Sequence, residues 1–122
     1  MATLLIVDDD AAIRGVLLDL FSESHECNTA STAEEAIEFL EIEEYDAVLT
    51  DIAMPGLNGI DLLKRIQLKD LPTPVILMSG KGQDQDSASL VALGAFAYVT
   101  KPFSLDEIER VVERATRHND LP

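Results

Sequence analysis

The chain has 122 residues, 47% of them hydrophobic and 26% charged, which is the size and balance of a single globular domain. Its 23 acidic residues against 9 basic ones give a formal net charge of -14, which repels nucleic-acid phosphates and anionic lipid headgroups. Cys27 is the only cysteine, so no internal disulfide forms, and no apolar run is long enough for a signal peptide or a membrane span. We therefore expect one cytoplasmic domain over residues 1–122 that contacts neither nucleic acid nor membrane directly.

The predicted elements alternate between strands and helices. Short apolar runs without polar alternation are typical of strands covered on both faces, and apolar residues spaced by three and four are typical of helices. In chain order, the sequence predicts strand 3–7, helix 13–21, strand 25–30, helix 33–40, strand 47–50, helix 60–66, strand 74–78, helix 84–93, strand 96–99 and helix 105–115. The strand at 25–30 is polar enough for a sheet edge. This alternation favours the α/β class, with a doubly wound, five-stranded parallel sheet and five helices on its two faces.

Local residue patterns also predict where the helices begin, end and pack. The expected caps are Asp10, Ser31 or Thr32 with Glu34 and Glu35, Gly94, and Ser104 with Glu107. The prolines of "LPTP" should end the third helix because proline cannot continue it. The apolar stripe of the first helix comprises Ile13, Val16, Leu17, Leu20 and Phe21, and that of the fifth comprises Leu105, Ile108, Val111, Val112 and Ala115. We expect both stripes to face the sheet.

Polar side chains follow four of the predicted strands at the point where each strand ends. They are Asp8, Asp9 and Asp10 after the first strand, Asp51 after the third, Ser79 after the fourth and Lys101 after the fifth. In the flavodoxin-like strand order 2-1-3-4-5, the first and third strands are neighbours, and ligands bind where their carboxyl ends meet. That order would bring these polar groups to one edge of the sheet.

The chemistry of this set suits the handling of a phosphoryl group. Crowded carboxylates repel one another, and a divalent cation relieves that repulsion. A few hard oxygen ligands with room for water favour Mg²⁺ over Ca²⁺. Lys101 adds a compact positive charge that could pair with Asp51 or with an oxyanion placed on it. Because Asp51 stands alone before the stiff Pro55-Gly56 turn, we expect it to be the nucleophile.

Four motifs in this order resemble the receiver domain of bacterial two-component response regulators. They are "LLIVDDD", "VLTDIAMPGLNG", "PVILMSG" and "YVTKPF", and the resemblance covers nearly the whole chain. It implies a single receiver domain of flavodoxin-like fold. It also implies that Asp51 accepts a phosphoryl group from a histidine kinase or a histidine phosphotransfer protein. Mg²⁺ would then bind Asp51, Asp9 and the backbone carbonyl of Ala53, with Asp8 beside it or joined to it through water.

The same resemblance implies roles beyond the metal. Lys101 would contact the phosphoryl oxygens, Ser79 would move to hydrogen-bond one of them, and Tyr98 would swing inward as an aromatic switch. The signal would leave through the fourth helix, fifth strand and fifth helix, about residues 84–116, and a homodimer through that face is possible. Ala53 and Lys81 occupy the positions that tune the phosphoryl lifetime, but the direction of their net effect does not follow.

Simpler interpretations stand beside these roles. Ser79 could be an ordinary turn hydroxyl, Lys101 a loop lysine, and Tyr98 a core residue. A different function, a magnesium-dependent phosphatase or phosphotransferase with an aspartyl-phosphate intermediate, resembles a pattern with a second acid at the position of Ala53. Without that proton shuttle we expect no turnover of an external substrate. A flavodoxin-type cofactor carrier fits least, because acids after the first strand would repel a phosphate.

Overall fold

A computed structural model describes residues 2–80 and 87–120 of the chain. In chain order the elements are β1 Thr3–Val7, α1 Ala11–Phe21, β2 Glu26–Ala30, α2 Ala33–Ile42, β3 Ala47–Asp51, α3 Gly59–Leu68, β4 Val75–Ser79, α4 Ser87–Ala92, β5 Ala97–Thr100 and α5 Leu105–Asp120. Each predicted element is present, and the strand boundaries differ from the predicted ones by at most one residue. The predicted start of the fourth helix, residues 84–86, lies outside the described residues.

The five strands form one parallel sheet in the order β2-β1-β3-β4-β5. The register pairs Val7 with Thr50 and Ser79 with Thr100, so that the carboxyl ends of four neighbouring strands meet at one edge. The polar strand β2 is at the side of the sheet, as its composition indicated. The predicted fold class and strand order are therefore confirmed.

Two apolar clusters cover the two faces of the sheet. One cluster joins Leu5, Val48 and Leu77 to buried residues of α2 and α3, and it includes Leu90 of α4. The other joins the alternate strand residues to α1 and α5; its members include Leu4, Ile6, Leu49, Ile76, Met78, Leu17, Phe21, Ile108 and Val112. Because neighbouring side chains of a strand point to opposite faces, each central strand contributes to both clusters. This two-sided burial explains why these strands read as continuous apolar runs.

The helix caps follow the sequence closely. Asp10 accepts the amide of Ala12 at 2.9 Å and is the N-cap of α1. Thr32 caps α2 by accepting the amide of Glu35 at 3.1 Å, while the Glu35 carboxylate accepts the amide of Ser31 at 2.8 Å. The predicted caps at the ends of α4 and α5 are also present, since Gly94 has a φ of 109° and the Ser104 hydroxyl accepts the Glu107 amide at 3.1 Å. A reciprocal capping box that the sequence analysis did not predict opens α3 between Asn58 and Asp61.

Two residues of the predicted apolar stripes are exposed instead of buried. Val16 is 48% exposed and Leu105 is 46% exposed. Helix α1 contacts the sheet through Leu17 and Phe21, and successive helical residues are rotated by about 100°, which turns Val16 away from that contact. Leu105 is the first residue of α5, and Ile108 is the first residue of this helix in the buried cluster. No helix in the described part of the chain is long and apolar enough to cross a membrane.

Candidate functional site

The ends of β1 and β3 bring three carboxylates together. Asp8, directly after β1, is fully buried, and Asp51, the last residue of β3, is 6% exposed. Asp9 is exposed and opens the site to solvent. Each of the three offers a carboxylate oxygen within 4.8 Å of the others. The strand order therefore produces the cluster of acids that the sequence predicted, whereas Asp10 caps α1 and is not a member of it.

The end of β5 adds a positive charge to these acids. The Nζ of Lys101 lies 2.7 Å from Oδ2 of Asp8 and 3.5 Å from Oδ1 of Asp51. The lysine is held at the sheet edge because its amide donates to the Ser79 carbonyl at 2.7 Å. Lys101 thus spans two acids and is closer to Asp8, a partner that the sequence analysis did not single out.

Asp8 makes four hydrogen bonds with other residues that the structure describes. Its amide donates to the Ala30 carbonyl at 3.1 Å, and its Oδ1 accepts the Asp10 amide at 2.9 Å. Its Oδ2 accepts from Lys101, and its backbone carbonyl accepts from Nη1 of Arg14 at 2.7 Å. Sequence reasoning missed Arg14. The sequence feature that could have indicated it is a cation near the amino end of α1, where the helix dipole favours acids.

Burial and neighbouring charges shift the pKa values of Asp51 and Lys101. Burial, and next the charge of Asp8, raise the pKa of Asp51, although Lys101 opposes this rise. Burial alone would lower the pKa of Lys101, but the hydrogen bond and charge of Asp8, followed by the charge of Asp51, raise it overall. Lys101 therefore remains an ammonium at neutral pH. Its single positive charge does not balance the three carboxylates of the site.

These residues fit a hydrated Mg²⁺ ion. Mg²⁺ prefers hard oxygen ligands, binds one or two carboxylates and keeps several waters. The cluster offers two buried acids and the exposed Asp9, which leaves room for water on the solvent side. Ala53 lies on the exposed loop directly after β3. Besides burial, the negative charge of Asp8 raises the pKa of Asp51, and a bound cation would relieve this repulsion.

The loop after β3 is fixed by a close approach of α3. A Cβ at Gly59 would overlap the carbonyl oxygen of Asp51 and lie 3.0 Å from the Cα of Ile52. The Gly59 amide donates to the Ile52 carbonyl at 2.9 Å. Gly56, for which the sequence indicated a turn, has a φ of 75°. Gly59 was not predicted, because its requirement comes from helix packing and not from a turn pattern.

The predicted switch residues lie on β4 and β5. Ser79 ends β4 and is fully buried, and its hydroxyl lies 3.4 Å from the Gly80 carbonyl oxygen. Tyr98 is half-buried and packs against the apolar cluster that contains Leu77 and Leu90. Lys81, which the resemblance made one of the two positions that tune the phosphoryl lifetime, lies outside the described residues.

Comparisons with known proteins agree with this architecture. A family model for the response regulator receiver domain matches residues 4–113. The cell cycle response regulator CtrA of Brucella ovis is 34% identical over 122 residues, an alignment that covers 97% of this chain and 53% of that protein. This chain therefore spans about half the length of the named relatives that it matches.

Solved structures show the same fold. The receiver domain of the Francisella response regulator 1452 has a TM-score of 0.89 at 30% identity, covering 97% of this chain and 98% of that one. Full-length FixJ from B. japonicum has a TM-score of 0.89 at 31% identity, covering 98% of this chain and 59% of that one. This chain belongs to the response regulator receiver domain family of two-component signalling.

Proposed function

We propose that Asp51 accepts a phosphoryl group from a histidine kinase or a histidine phosphotransfer protein, with Mg²⁺ bound by Asp9, Asp51 and the carbonyl of Ala53. The observation that carries this proposal is the placement of one buried carboxylate beside two further acids and an ammonium. When bound, Mg²⁺ would supply positive charge to the transferring phosphoryl oxygens. We assign Asp8 a place next to the metal, directly or through water.

The protein's own residues account for the transfer step. A carboxylate oxygen of Asp51 attacks phosphorus as the phosphorus–nitrogen bond of the donor phosphohistidine breaks, and the imidazole leaves with that electron pair. Lys101 favours the ionised, nucleophilic form of Asp51. Its Nζ, only 3.5 Å from Oδ1 of Asp51, is close enough to contact an oxygen of the new acyl phosphate.

Ser79 on β4 and Tyr98 on β5 would carry the signal away from the phosphorylated Asp51. The Ser79 hydroxyl would turn to donate to a phosphoryl oxygen, and Tyr98 would move into the space that this rearrangement opens. Because the phosphoryl group contacts the two conformations differently, it shifts their populations. We propose that the surface of α4, β5 and α5 carries the change to a partner or to a second copy of the chain.

We further propose that the chain is a cytoplasmic signalling domain, not an enzyme acting on external substrates. Ala53 has a methyl side chain, which cannot hold an attacking water or carry a proton. This feature disfavours the alternative of a magnesium-dependent phosphatase or phosphotransferase. The net charge of -14 also argues that this chain does not itself bind nucleic acid or a membrane.

Phosphotransfer from a labelled histidine phosphotransfer protein tests the proposal. The label should move to the wild-type chain with Mg²⁺ and should stay on the donor after chelation. Asp51→Asn should accept none. Asp70→Asn is the matched control, because Asp70 is an exposed aspartate in the turn after α3, and it should accept label normally. Equal labelling with and without Mg²⁺, or in Asp51→Asn, would contradict the proposal.

A further inference from the structure

Arg14 contacts the acidic site through the backbone of Asp8, and it has no role in the phosphoryl transfer proposed above. It lies near the amino end of α1, is half-buried, and donates from Nη1 to the backbone carbonyl of Asp8 at 2.7 Å. Within the described residues its guanidinium forms no ion pair, even though Asp8, Asp9 and Asp10 precede it closely in the chain. Its hydrogen bond therefore goes to a backbone group and not to a carboxylate.

Helix stability does not explain an arginine at this position. The amino end of a helix carries partial positive charge, so that a cation there is unfavourable and an acid is favourable. The N-cap Asp10 offsets part of this charge, and the first turn of α1 after the cap contains no further acidic residue. The contact with the Asp8 carbonyl is therefore the physical reason that the structure offers for Arg14.

That contact restrains the peptide group that joins Asp8 to Asp9. The Asp8 side chain is held by Asp10 and Lys101, and its amide is held by Ala30. The carbonyl is the remaining polar group of Asp8, and it lies in the same rigid plane as the amide of Asp9. Fixing this plane limits the directions in which Asp9, exposed and at the open side of the site, can extend its carboxylate.

We infer that Arg14 is a positioning residue for the metal site: it orients Asp9 toward Asp51 through the Asp8–Asp9 peptide. This inference rests on the proposed function, because it concerns the Mg²⁺ site used there. A charge-assisted hydrogen bond to a carbonyl is suited to such a role, since it is short and directional. Arginine presents a planar set of donors for it.

Charge and positioning predict opposite effects of removing Arg14. If the side chain acted only as a nearby cation, its removal would strengthen the binding of Mg²⁺, because like charges repel. If it positions Asp9, its removal weakens binding. Loss of an outer contact to a metal ligand typically lowers affinity by 10 to 100 times, and for Arg14→Ala we expect a loss of about tenfold.

Calorimetric titration with Mg²⁺ alone decides between these effects. The samples are the wild type, Arg14→Ala, Arg14→Lys, and Arg65→Ala as a control that removes an exposed arginine from the far end of α3. We expect Arg14→Ala to bind about tenfold more weakly, Arg14→Lys to show a smaller loss, and Arg65→Ala to match the wild type. In the metal-free protein, the amide resonance of Asp9 should shift in Arg14→Ala.

The outcomes separate this inference from the proposed function. Equal or tighter Mg²⁺ binding by a folded Arg14→Ala, with binding by the wild type intact, overturns the role of Arg14 only. Absence of Mg²⁺ binding in the wild type overturns both. If circular dichroism shows that Arg14→Ala is unfolded, Arg14→Lys decides, and an affinity equal to that of the wild type overturns the inference.

Discussion

Replacing Asp51 with asparagine should stabilise the metal-free domain while removing the proposed phosphorylation site. The Asp51 carboxylate lies within 4.8 Å of those of Asp8 and Asp9 and 3.5 Å from the Lys101 ammonium. At an effective dielectric constant of roughly 20, each repulsion at such a separation costs about 3.5 kcal/mol, and the attraction offsets about 4.7 kcal/mol. The two repulsions exceed the attraction by about 2 kcal/mol, and burial adds to the difference.

The pH dependence of this effect has a definite sign. Because burial and Asp8 raise the pKa of Asp51, the folded state binds a proton more tightly than the unfolded state does. Stability is therefore lost as the pH rises from the unfolded pKa of about 3.9 through the raised folded value. Asparagine carries no such proton. We expect Asp51→Asn to be more stable than the wild type by about 2 kcal/mol at neutral pH, and this advantage to shrink in acid.

Urea unfolding in the presence of a chelator measures this difference. Asp70→Asn is the control for replacing an aspartate elsewhere, and its free energy of unfolding should stay close to that of the wild type. Adding Mg²⁺ at about 100 times its Kd should stabilise the wild type by about 2.7 kcal/mol, with a smaller effect on Asp51→Asn. Equal or lower stability of metal-free Asp51→Asn at neutral pH would refute the electrostatic reasoning.

Two further predictions concern packing and pH. Gly59→Ala should lower the free energy of unfolding by about 3 kcal/mol, because the added Cβ would overlap the Asp51 carbonyl oxygen. Gly15→Ala is the control, since no atom lies within 4 Å of its added Cβ, and it should raise the free energy of unfolding by about 0.5–1 kcal/mol. The same urea titrations measure both variants. Burial lowers the pKa of His25, whose Nδ1 accepts the Ala2 amide at 3.0 Å. The unfolded state therefore binds a proton at His25 more readily than the folded state does. The stability that neutral His25 contributes should be fully present above a pH of about 6.5 and should be lost as the pH falls below it. His25→Gln should show a weaker decline between pH values of about 8 and 5, and parallel pH profiles for the two proteins would count against this assignment.

The fold and the composition of the site were predictable because both depend on strands. Buried parallel strands have a recognisable apolar pattern, and the flavodoxin-like order brings their carboxyl ends to one edge. Asp51, Asp8 and Lys101 could therefore be grouped from their positions after strands alone. The cap at Asp10 was predictable for a similar reason, since it depends only on neighbouring residues.

The remaining features depend on distances that no local pattern contains. The Nζ of Lys101 lies nearer to Asp8, at 2.7 Å, than to Asp51, at 3.5 Å. Arg14 donates to a backbone carbonyl, and every residue has one, so its partner has no sequence signature. Gly59 is required by the seating of α3 on β3, and the exposure of Val16 depends on which arc of α1 meets the sheet.

Locating the phosphoryl group on the chain tests the central claim most directly. The protein is incubated with a small phosphodonor and Mg²⁺, its intact mass is measured, and hydroxylamine then converts any acyl phosphate to a hydroxamate that peptide mass spectrometry can place. We predict one added phosphoryl group per chain, a hydroxamate at Asp51, and no addition to Asp51→Asn. A modification at Asp8 or Asp9 in its place, or unchanged labelling of Asp51→Asn, would contradict the account.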